Sequence, residues 1–157
     1  MLMIKYRNDE LSVVIPENIL RKIYKICSGS NKFETGGIIY GRYTENLDSA
    51  LILKITSPPI DSKRTKTSFK RGVAGIKQEI KRLWKKDIYY LGEWHYHPNF
   101  SSEPSNQDIK QMIKISKNKN FNCPEPILII VGENQNNFCI TVQIFIKNEK
   151  ITLFQEH

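Results

Sequence analysis

The stretch Glu93-Trp94-His95-Tyr96-His97-Pro98 decides how this chain is interpreted, because it places two imidazoles two residues apart. The stretch predicts a β-strand. Successive strand side chains point to opposite faces, so His95 and His97 project to the same side. Pro98 removes a backbone donor and ends the strand. After a polar loop, Ser105–Asp108 begins an amphipathic segment that predicts a helix.

Two imidazoles and one carboxylate are a common ligand set for a catalytic zinc ion, with a fourth position left to water. His95, His97 and Asp108 therefore predict a metal centre. A plainer interpretation stays open, since the two histidines could be ordinary hydrogen-bonded residues near a core. Ser105 and Asp108 also have the spacing of a helix capping box, which needs no metal. We expect that Asp108 cannot easily fill both roles.

Metal-assisted hydrolysis of an amide also needs a base, and two glutamates are candidates. Glu34 precedes a predicted strand in which Gly36 and Gly37 permit close backbone approach. Glu93 has the same strand parity as the two histidines. It could be a base, a partner that orients a histidine, or an exposed edge residue. The residues alone leave this choice open.

Length and composition predict one soluble globular domain over residues 1–157. No apolar run approaches membrane-spanning length, and the first residues lack the pattern of a secretory signal. The three cysteines include no CxxC pair, so we expect reduced thiols and a cytoplasmic location.

The formal net charge is +8, with 24 Lys and Arg against 16 Asp and Glu, and much of the excess lies between Lys63 and Lys86. Such a surface could attract nucleic acid or an acidic protein. However, the basic residues of 77–86 share a helical pattern with Ile76, Ile80 and Leu83. We therefore favour a solvated helix face over a nucleic-acid site.

The hydrophobic pattern predicts an α/β fold in which helices flank a mixed sheet, because strands and helices mix without strict alternation. Asn134–Asn137 predicts a hairpin turn. The predicted strands are Leu11–Ile15, Gly36–Tyr43, Ala50–Thr56, Thr67–Lys70, Ile88–His97, Pro126–Val131, Phe138–Ile146 and Lys150–Phe154. The predicted helices are Pro16–Cys27, Val73–Lys86 and Ser105–Lys117.

The residues Glu34-Thr35-Gly36-Gly37, His95-Tyr96-His97-Pro98, Ser105 and Asp108 resemble the motif of the JAMM/JAB (MPN) zinc metalloproteases, E…H-[ST]-H-P-x6-S-x-x-D. The resemblance extends from about Leu11 to Val142. It implies a cytidine-deaminase-like three-layer fold and a Zn2+ cofactor held by His95, His97 and Asp108. It also implies Glu34 as the acid and base, in preference to Glu93, and Ser105 as a donor to the oxyanion. Tyr96 departs from the usual Ser or Thr, but its side chain should point away from the metal.

Three further segments are similar to bacterial JAB deconjugases of CBASS antiphage operons: Pro58–Ser62, Thr67–Gly72 and Tyr90–His95. This similarity implies an isopeptidase that cuts after the C-terminal tail of a cGAS-like nucleotidyltransferase or a ubiquitin-like protein. An E1/E2-like conjugating protein would act in the same pathway, with no nucleic-acid or membrane partner. The alternatives are a deubiquitinase-like or tail-processing peptidase of another ubiquitin-like system, or a non-catalytic MPN scaffold. The candidate contacts to the tail are Gly36, Gly37, Phe69, Arg71 and Trp94.

Overall fold

The computed structural model describes residues 1–157. The strands are β1 (Met3–Arg7), β2 (Ser12–Pro16), β3 (Thr35–Tyr43), β4 (Ser49–Ile55), β5 (Lys63–Arg64), β6 (Phe69–Lys70), β7 (Tyr89–His97), β8 (Ile127–Asn134), β9 (Asn137–Ile146) and β10 (Glu149–Gln155). The helices are α1 (Glu17–Ser28), α2 (Ile76–Trp84) and α3 (Asn106–Lys117).

Eight strands form one sheet in the order β1-β10-β9-β8-β7-β3-β4-β2, and because β1 also pairs with β2 the sheet closes on itself. The pairs β7–β8 and β2–β4 are parallel, and the others are antiparallel. β5 and β6 form a separate two-stranded hairpin. The sheet is therefore mixed, as the sequence predicted.

Two hydrophobic clusters cover the sheet, and neighbouring residues of one strand alternate between them. Ile39 of β3 lies in the cluster that contains the apolar side of α1, whereas Ile38 lies in the cluster that contains residues of α2 and α3. Strands buried on both faces in this way carry apolar residues without polar alternation. The long apolar run in β8 has this composition, and its residues Ile127–Gly132 are all buried.

β7 lies next to β3 on one side and β8 on the other, so its backbone is paired along both edges. Its register against β3 shifts where Ile39 faces Gly92 and Tyr40 faces Tyr90. Gly92 has φ +152°, and an added Cβ there would lie 1.8 Å from the Ile127 carbonyl oxygen. This irregularity precedes Glu93, so the strand from Glu93 to His97 keeps an unbroken two-residue period.

The predicted mixed α/β class is confirmed, and all three predicted helices are present. The hairpin turn is also confirmed, since Gln135 and Asn136 have the positive φ values of a tight two-residue turn. Two strands were missed, β1 and β5. Pro16 ends β2 and is not the first residue of α1. The finer expectation of a cytidine-deaminase-like three-layer arrangement stays a prediction.

None of the helices combines the length and the apolar character that crossing a membrane would require.

Candidate active site

The C-terminal half of β7 presents two different faces. Trp94 and Tyr96 point into the cluster shared with α1, where Tyr96 packs edge-on against Phe138. His95 and His97 point the other way, and both contact Asp108. The parity predicted from the sequence is confirmed, and Tyr96 points away from the histidines as expected.

The first turn of α3 brings Asp108 to the histidines through a capping box. The Ser105 hydroxyl oxygen accepts a hydrogen bond from the Asp108 amide at 3.1 Å, and the Asp108 Oδ2 accepts one from the Ser105 amide at 2.9 Å. The same carboxylate contacts both imidazoles. Asp108 therefore caps the helix and contacts both rings at once, while its role as a metal ligand stays a prediction. Each carboxylate oxygen has two lone pairs, so Oδ2 can cap the helix and still meet a ring nitrogen.

The carboxylate of Asp108 lies between the two rings. Oδ1 is 3.0 Å from Nδ1 of His95, and Oδ2 is 3.2 Å from Nε2 of His97. Burial works against ionisation of Asp108, but the contacts with both histidines lower its pKa far below the ordinary value. Burial likewise lowers the pKa of His95, but its contacts with Asp108 and Glu93 outweigh this and raise it to about 9.

Glu34 immediately precedes β3, and its Oε1 is 3.5 Å from Nε2 of His97. The β5–β6 hairpin holds its backbone from both sides. The Glu34 amide donates to the Thr65 carbonyl at 2.8 Å, and its own carbonyl accepts from Nε of Arg64 at 3.0 Å. Burial raises the pKa of the Glu34 carboxyl, His97 opposes that rise, and Asp108 adds to it. Arg64 was not singled out from the sequence, because nothing local marks its link to Glu34.

Glu93 lies behind His95 and is completely buried. Its Oε2 accepts hydrogen bonds from Nε of Arg71 at 2.7 Å and from the Tyr90 hydroxyl at 2.9 Å. Its Oε1 is 3.5 Å from Nε2 of His95. Burial raises the pKa of Glu93, but the contacts with His95, Arg71 and Tyr90 lower it below the ordinary value. An exposed edge residue was one expectation for Glu93, and the structure shows that it is wrong.

Two glycines of β3 let the strand approach these side chains closely. An added Cβ at Gly36 would lie 2.3 Å from the Trp94 carbonyl oxygen and 2.8 Å from both the His95 and the Phe69 rings. At Gly37 it would lie 1.9 Å from the Thr56 carbonyl oxygen. The aromatic ring of Phe69 meets His95 edge-on, with centroids 5.3 Å apart. The glycines therefore make room for the packing around His95.

A cleft of about 590 Å3 opens beside the four-residue cluster of Glu34, His95, His97 and Asp108. The β5–β6 turn forms one wall, and the segment between β7 and α3 forms the other. Phe69 is the one residue of the predicted tail-binding set on this wall. The lining residues are Glu34, Lys66–Phe69, His97, Pro98, Phe100, Ser101 and Glu103–Asp108.

The loop after β7 is held by a residue that the sequence did not reveal. The buried carboxylate of Glu133, near the end of β8, accepts from the Asn99 amide at 3.1 Å and pairs with Lys32 at 2.8 Å. The Glu133 amide donates to the Phe100 carbonyl at 2.8 Å. A lone carboxylate after the apolar run of β8 was the only available signal. Glu133 thus fixes one wall of the cleft.

Two of the predicted tail contacts are corrected by the structure. The Trp94 side chain is fully buried, and its indole N–H donates to the Thr56 carbonyl at 3.0 Å. The Arg71 side chain is 4% exposed, pairs with Glu93 and lies outside the cleft lining. Neither residue presents a surface to a substrate in the cleft. Gly36 and Gly37 are also buried, beneath Phe69 and Thr56 respectively.

The chemistry of the donor set fits zinc. Two ligand atoms, each about 2.0–2.1 Å from a tetrahedral ion, lie about 3.3 Å apart, close to the 3.0 and 3.2 Å that separate Asp108 from the two rings. The two rings, however, meet different oxygens of Asp108, and no three His, Cys, Asp or Glu side chains are arranged as a group that could hold a metal ion. The cluster is a set of close polar contacts with the donor types of a zinc site.

Comparison with known proteins gives consistent matches. A family model described as prokaryotic homologues of the JAB domain matches residues 16–143. A CD-NTase/cGAS isopeptidase from Enterobacter hormaechei subsp. hoffmannii is 39% identical over 121 residues, which cover 77% of this chain and 67% of that protein. A probable metalloprotease, y4qB, from Sinorhizobium fredii is 30% identical over 128 residues, which cover 79% of this chain and 77% of that protein.

A second CD-NTase/cGAS isopeptidase, from Escherichia coli, is 34% identical over 129 residues, which cover 79% of this chain and 78% of that protein. Among solved structures, the solution structure of protein DSY2949 from Desulfitobacterium hafniense matches with a TM-score of 0.63 and 14% identity. The match covers 91% of this chain and 88% of the DSY2949 chain. At this identity the match shows a shared fold alone.

Proposed function

This chain belongs to the family of prokaryotic JAB-domain proteins, and from that premise we propose that it is a zinc-dependent isopeptidase. The observation that carries the proposal is the meeting of Glu34, His97, Ser105 and Asp108 in one cleft, with His95 behind them. The relatives named isopeptidase and probable metalloprotease support the same reaction class.

In this proposal His95, His97 and Asp108 hold the metal. Zinc, when bound, supplies a Lewis acid that lowers the pKa of water toward about 7. The capping box keeps the Asp108 carboxylate at the end of a rigid helix turn, so its position does not depend on the metal.

Glu34 acts as the proton carrier. Its carboxylate lines the cleft beside His97 and is not paired with a Lys or Arg side chain. Burial raises its pKa, which brings the carboxyl nearer to the range in which it can both accept and return a proton. Glu34 takes a proton from the attacking water and gives it to the departing amine. The lysine then leaves as a neutral amine and the carbonyl carbon becomes that of a carboxylic acid, which releases its remaining proton to solvent.

Ser105 stabilises the developing oxyanion. Its hydroxyl oxygen accepts from the Asp108 amide, so the hydroxyl hydrogen is free to donate into the cleft. One such donor contributes about 2.7–4 kcal/mol to transition-state stability.

The proposed substrate is the amide that follows the C-terminal tail of a cGAS-like nucleotidyltransferase or a ubiquitin-like protein. The names of two relatives support the first of these. We further propose that residues 1–157 are one domain acting in the cytoplasm in antiphage defence, beside an E1/E2-like conjugating protein. An extended tail fits a cleft whose wall is a short β-hairpin with a free edge.

The test is cleavage of a defined conjugate. A cGAS-like nucleotidyltransferase from the same genome is linked through its C-terminus to a lysine side chain and incubated with zinc-loaded protein. Mass spectrometry is expected to show the intact free C-terminus and the free lysine amine, with no cleavage by Asp108→Ala. Bound zinc with no cleavage of any tail fusion would favour a scaffold. Cleavage restricted to linear tail extensions would indicate a processing peptidase.

A further inference from the structure

The carboxylate of Glu93 has one oxygen that is fully engaged. Oε2 accepts hydrogen bonds from Nε of Arg71 and from the Tyr90 hydroxyl, at 2.7 and 2.9 Å. Arg71 is itself anchored, since its Nη1 donates to the Gly72 carbonyl at 2.8 Å. Two side chains that are each almost completely buried, those of Arg71 and Tyr90, therefore fix the orientation of this carboxylate.

The other oxygen of Glu93 has no such partner. Oε1 is buried and makes no hydrogen bond, although Nε2 of His95 lies 3.5 Å away. A buried carboxylate oxygen without a donor is unfavourable, and the ring N–H of His95 is a group able to satisfy it. The opposite ring nitrogen, Nδ1, lies 3.0 Å from Asp108. The imidazole of His95 thus lies between two carboxylates.

Packing alone cannot fix which nitrogen faces the cluster. Phe69 meets the ring edge-on, and the absence of a side chain at Gly36 leaves just enough space for both rings. These contacts hold the plane of the His95 ring. A half-turn about the Cβ–Cγ bond leaves the ring in the same plane and exchanges nitrogen for carbon with little change of shape, so a hydrogen bond must distinguish the two orientations.

We propose that Glu93 is a positioning residue that accepts the Nε2–H of His95 and so presents the lone pair of Nδ1 to the metal site. The inference rests on the proposed function, which it deepens. Arg71 holds the carboxylate of Glu93 in its orientation and acts through it. Neither residue touches the substrate. Partners of this kind commonly change metal affinity by about 10–100-fold when they are removed.

The test separates the hydrogen bond from charge and from packing. Removing Glu93 alone would leave Arg71 buried and unpaired, so both test variants carry Arg71→Met. One adds Glu93→Gln, which keeps a neutral acceptor of nearly the same shape, and the other adds Glu93→Met, which removes the acceptor. The matched control is Lys54→Met with Glu79→Met, which neutralises an ion pair between β4 and α2 away from the cluster.

The first readout is the zinc dissociation constant, measured by competition with a chelator. We expect the Glu93→Met variant to bind zinc about 10–100-fold more weakly than the Glu93→Gln variant. The control should match the wild-type protein. The second readout is the histidine tautomer in zinc-loaded, 15N-labelled protein, where the chain has only three histidines to assign. Nε2 of His95 should carry the proton in the wild-type protein.

Equal zinc affinities for the two Glu93 variants, or a proton on Nδ1, would overturn the inference. A wild-type protein that takes up no zinc would instead defeat the proposed function. Crystal structures of the wild-type and Arg71→Met, Glu93→Met proteins would then decide the inference separately. We expect the ring of His95 to be displaced in the variant, and an unchanged ring would be evidence against positioning by Glu93.

Discussion

Glu34 and Glu93 are the same residue type and each contact one of the two histidines, yet their surroundings are opposite. Glu34 immediately precedes β3, and Glu93 lies in the neighbouring strand β7. Glu34 lines the cleft beside His97, and its pKa is raised mainly by burial. Glu93 is sealed behind His95 and paired with Arg71, and its pKa is lowered. The two environments support different proposed roles: Glu34 as a carboxylate that exchanges protons with a substrate, and Glu93 as one that stays charged to orient a ring.

The largest expected effect comes from Glu34→Gln. The amide keeps the shape of the side chain but cannot carry a proton between water and amine. We expect kcat for conjugate cleavage to fall by about 10²–10⁴-fold, with zinc content unchanged. Turnover is measured on the lysine-linked conjugate, and metal content by elemental analysis. Normal turnover in this variant would remove Glu34 from its proposed role and break the contrast with Glu93.

The second effect concerns stability and uses Arg71→Met. Without the Arg71 guanidinium, the ionised carboxylate of Glu93 loses its charged partner while it stays completely buried. Breaking a buried ion pair from one side costs about 3–5 kcal/mol of unfolding free energy, which urea denaturation at neutral pH can measure. Adding Glu93→Gln removes the stranded charge and should restore most of the loss. A loss below about 1 kcal/mol, the level of an exposed pair, would show that Glu93 is better solvated than its burial indicates.

Tyr90→Phe should have a smaller effect on the same carboxylate. It removes one hydrogen bond to Oε2 of Glu93, keeps the aromatic ring, and leaves the Arg71 bond in place. A hydrogen bond to a charged group contributes about 1.5 kcal/mol or somewhat more. Urea denaturation should show a loss of this size with kcat nearly unchanged. A loss as large as that of Arg71→Met would show that the hydroxyl, and not the guanidinium, dominates.

The smallest effect is a difference in pH dependence of stability in chelator-treated protein. The folded pKa of Glu34 is raised, so its ionised form opposes folding at pH values above the unfolded pKa of about 4.3. Glu34→Gln should therefore be more stable than the wild-type protein at pH 7, and the gain should vanish as the pH falls toward 4.3. Denaturation midpoints at several pH values measure this difference.

The ionised form of Glu93 should change the folding stability in the opposite direction to that of Glu34. Its folded pKa is lowered, so its ionised form contributes stability above the unfolded pKa, and this is lost as the pH falls through the folded value. A Glu34→Gln variant that loses stability at pH 7, relative to the wild-type protein, would contradict the assignment of the two environments.

Much of the fold followed from local pattern. The two-residue period of β7, the capping box at Ser105 and the turn at Gln135–Asn136 each depend on residues close in sequence, and all three are present. β1 was missed because its charged residues obscure the strand pattern, and its pairing partners, β2 and β10, lie at opposite ends of the chain.

The sequence predicted which residues form the candidate site, but not the long-range contacts that hold them in place. The sequence named Glu34, His95, His97, Ser105 and Asp108, and the structure brings them together. It could not show that Glu133 holds the loop after β7 across 34 residues of chain, or that Arg64 anchors Glu34 across 30. Such contacts depend on how strands pair, and a single charged residue carries no local signal of its partner.

The sequence by itself determined that two imidazoles share a face of one strand and that a carboxylate begins the next helix, because strand and helix periods are local properties of the backbone. Tertiary structure alone decided which glutamate faces the cleft and which is paired with Arg71. That difference arises from burial and from charges placed 22 residues apart in the chain, and both exist only once the sheet has closed around β7.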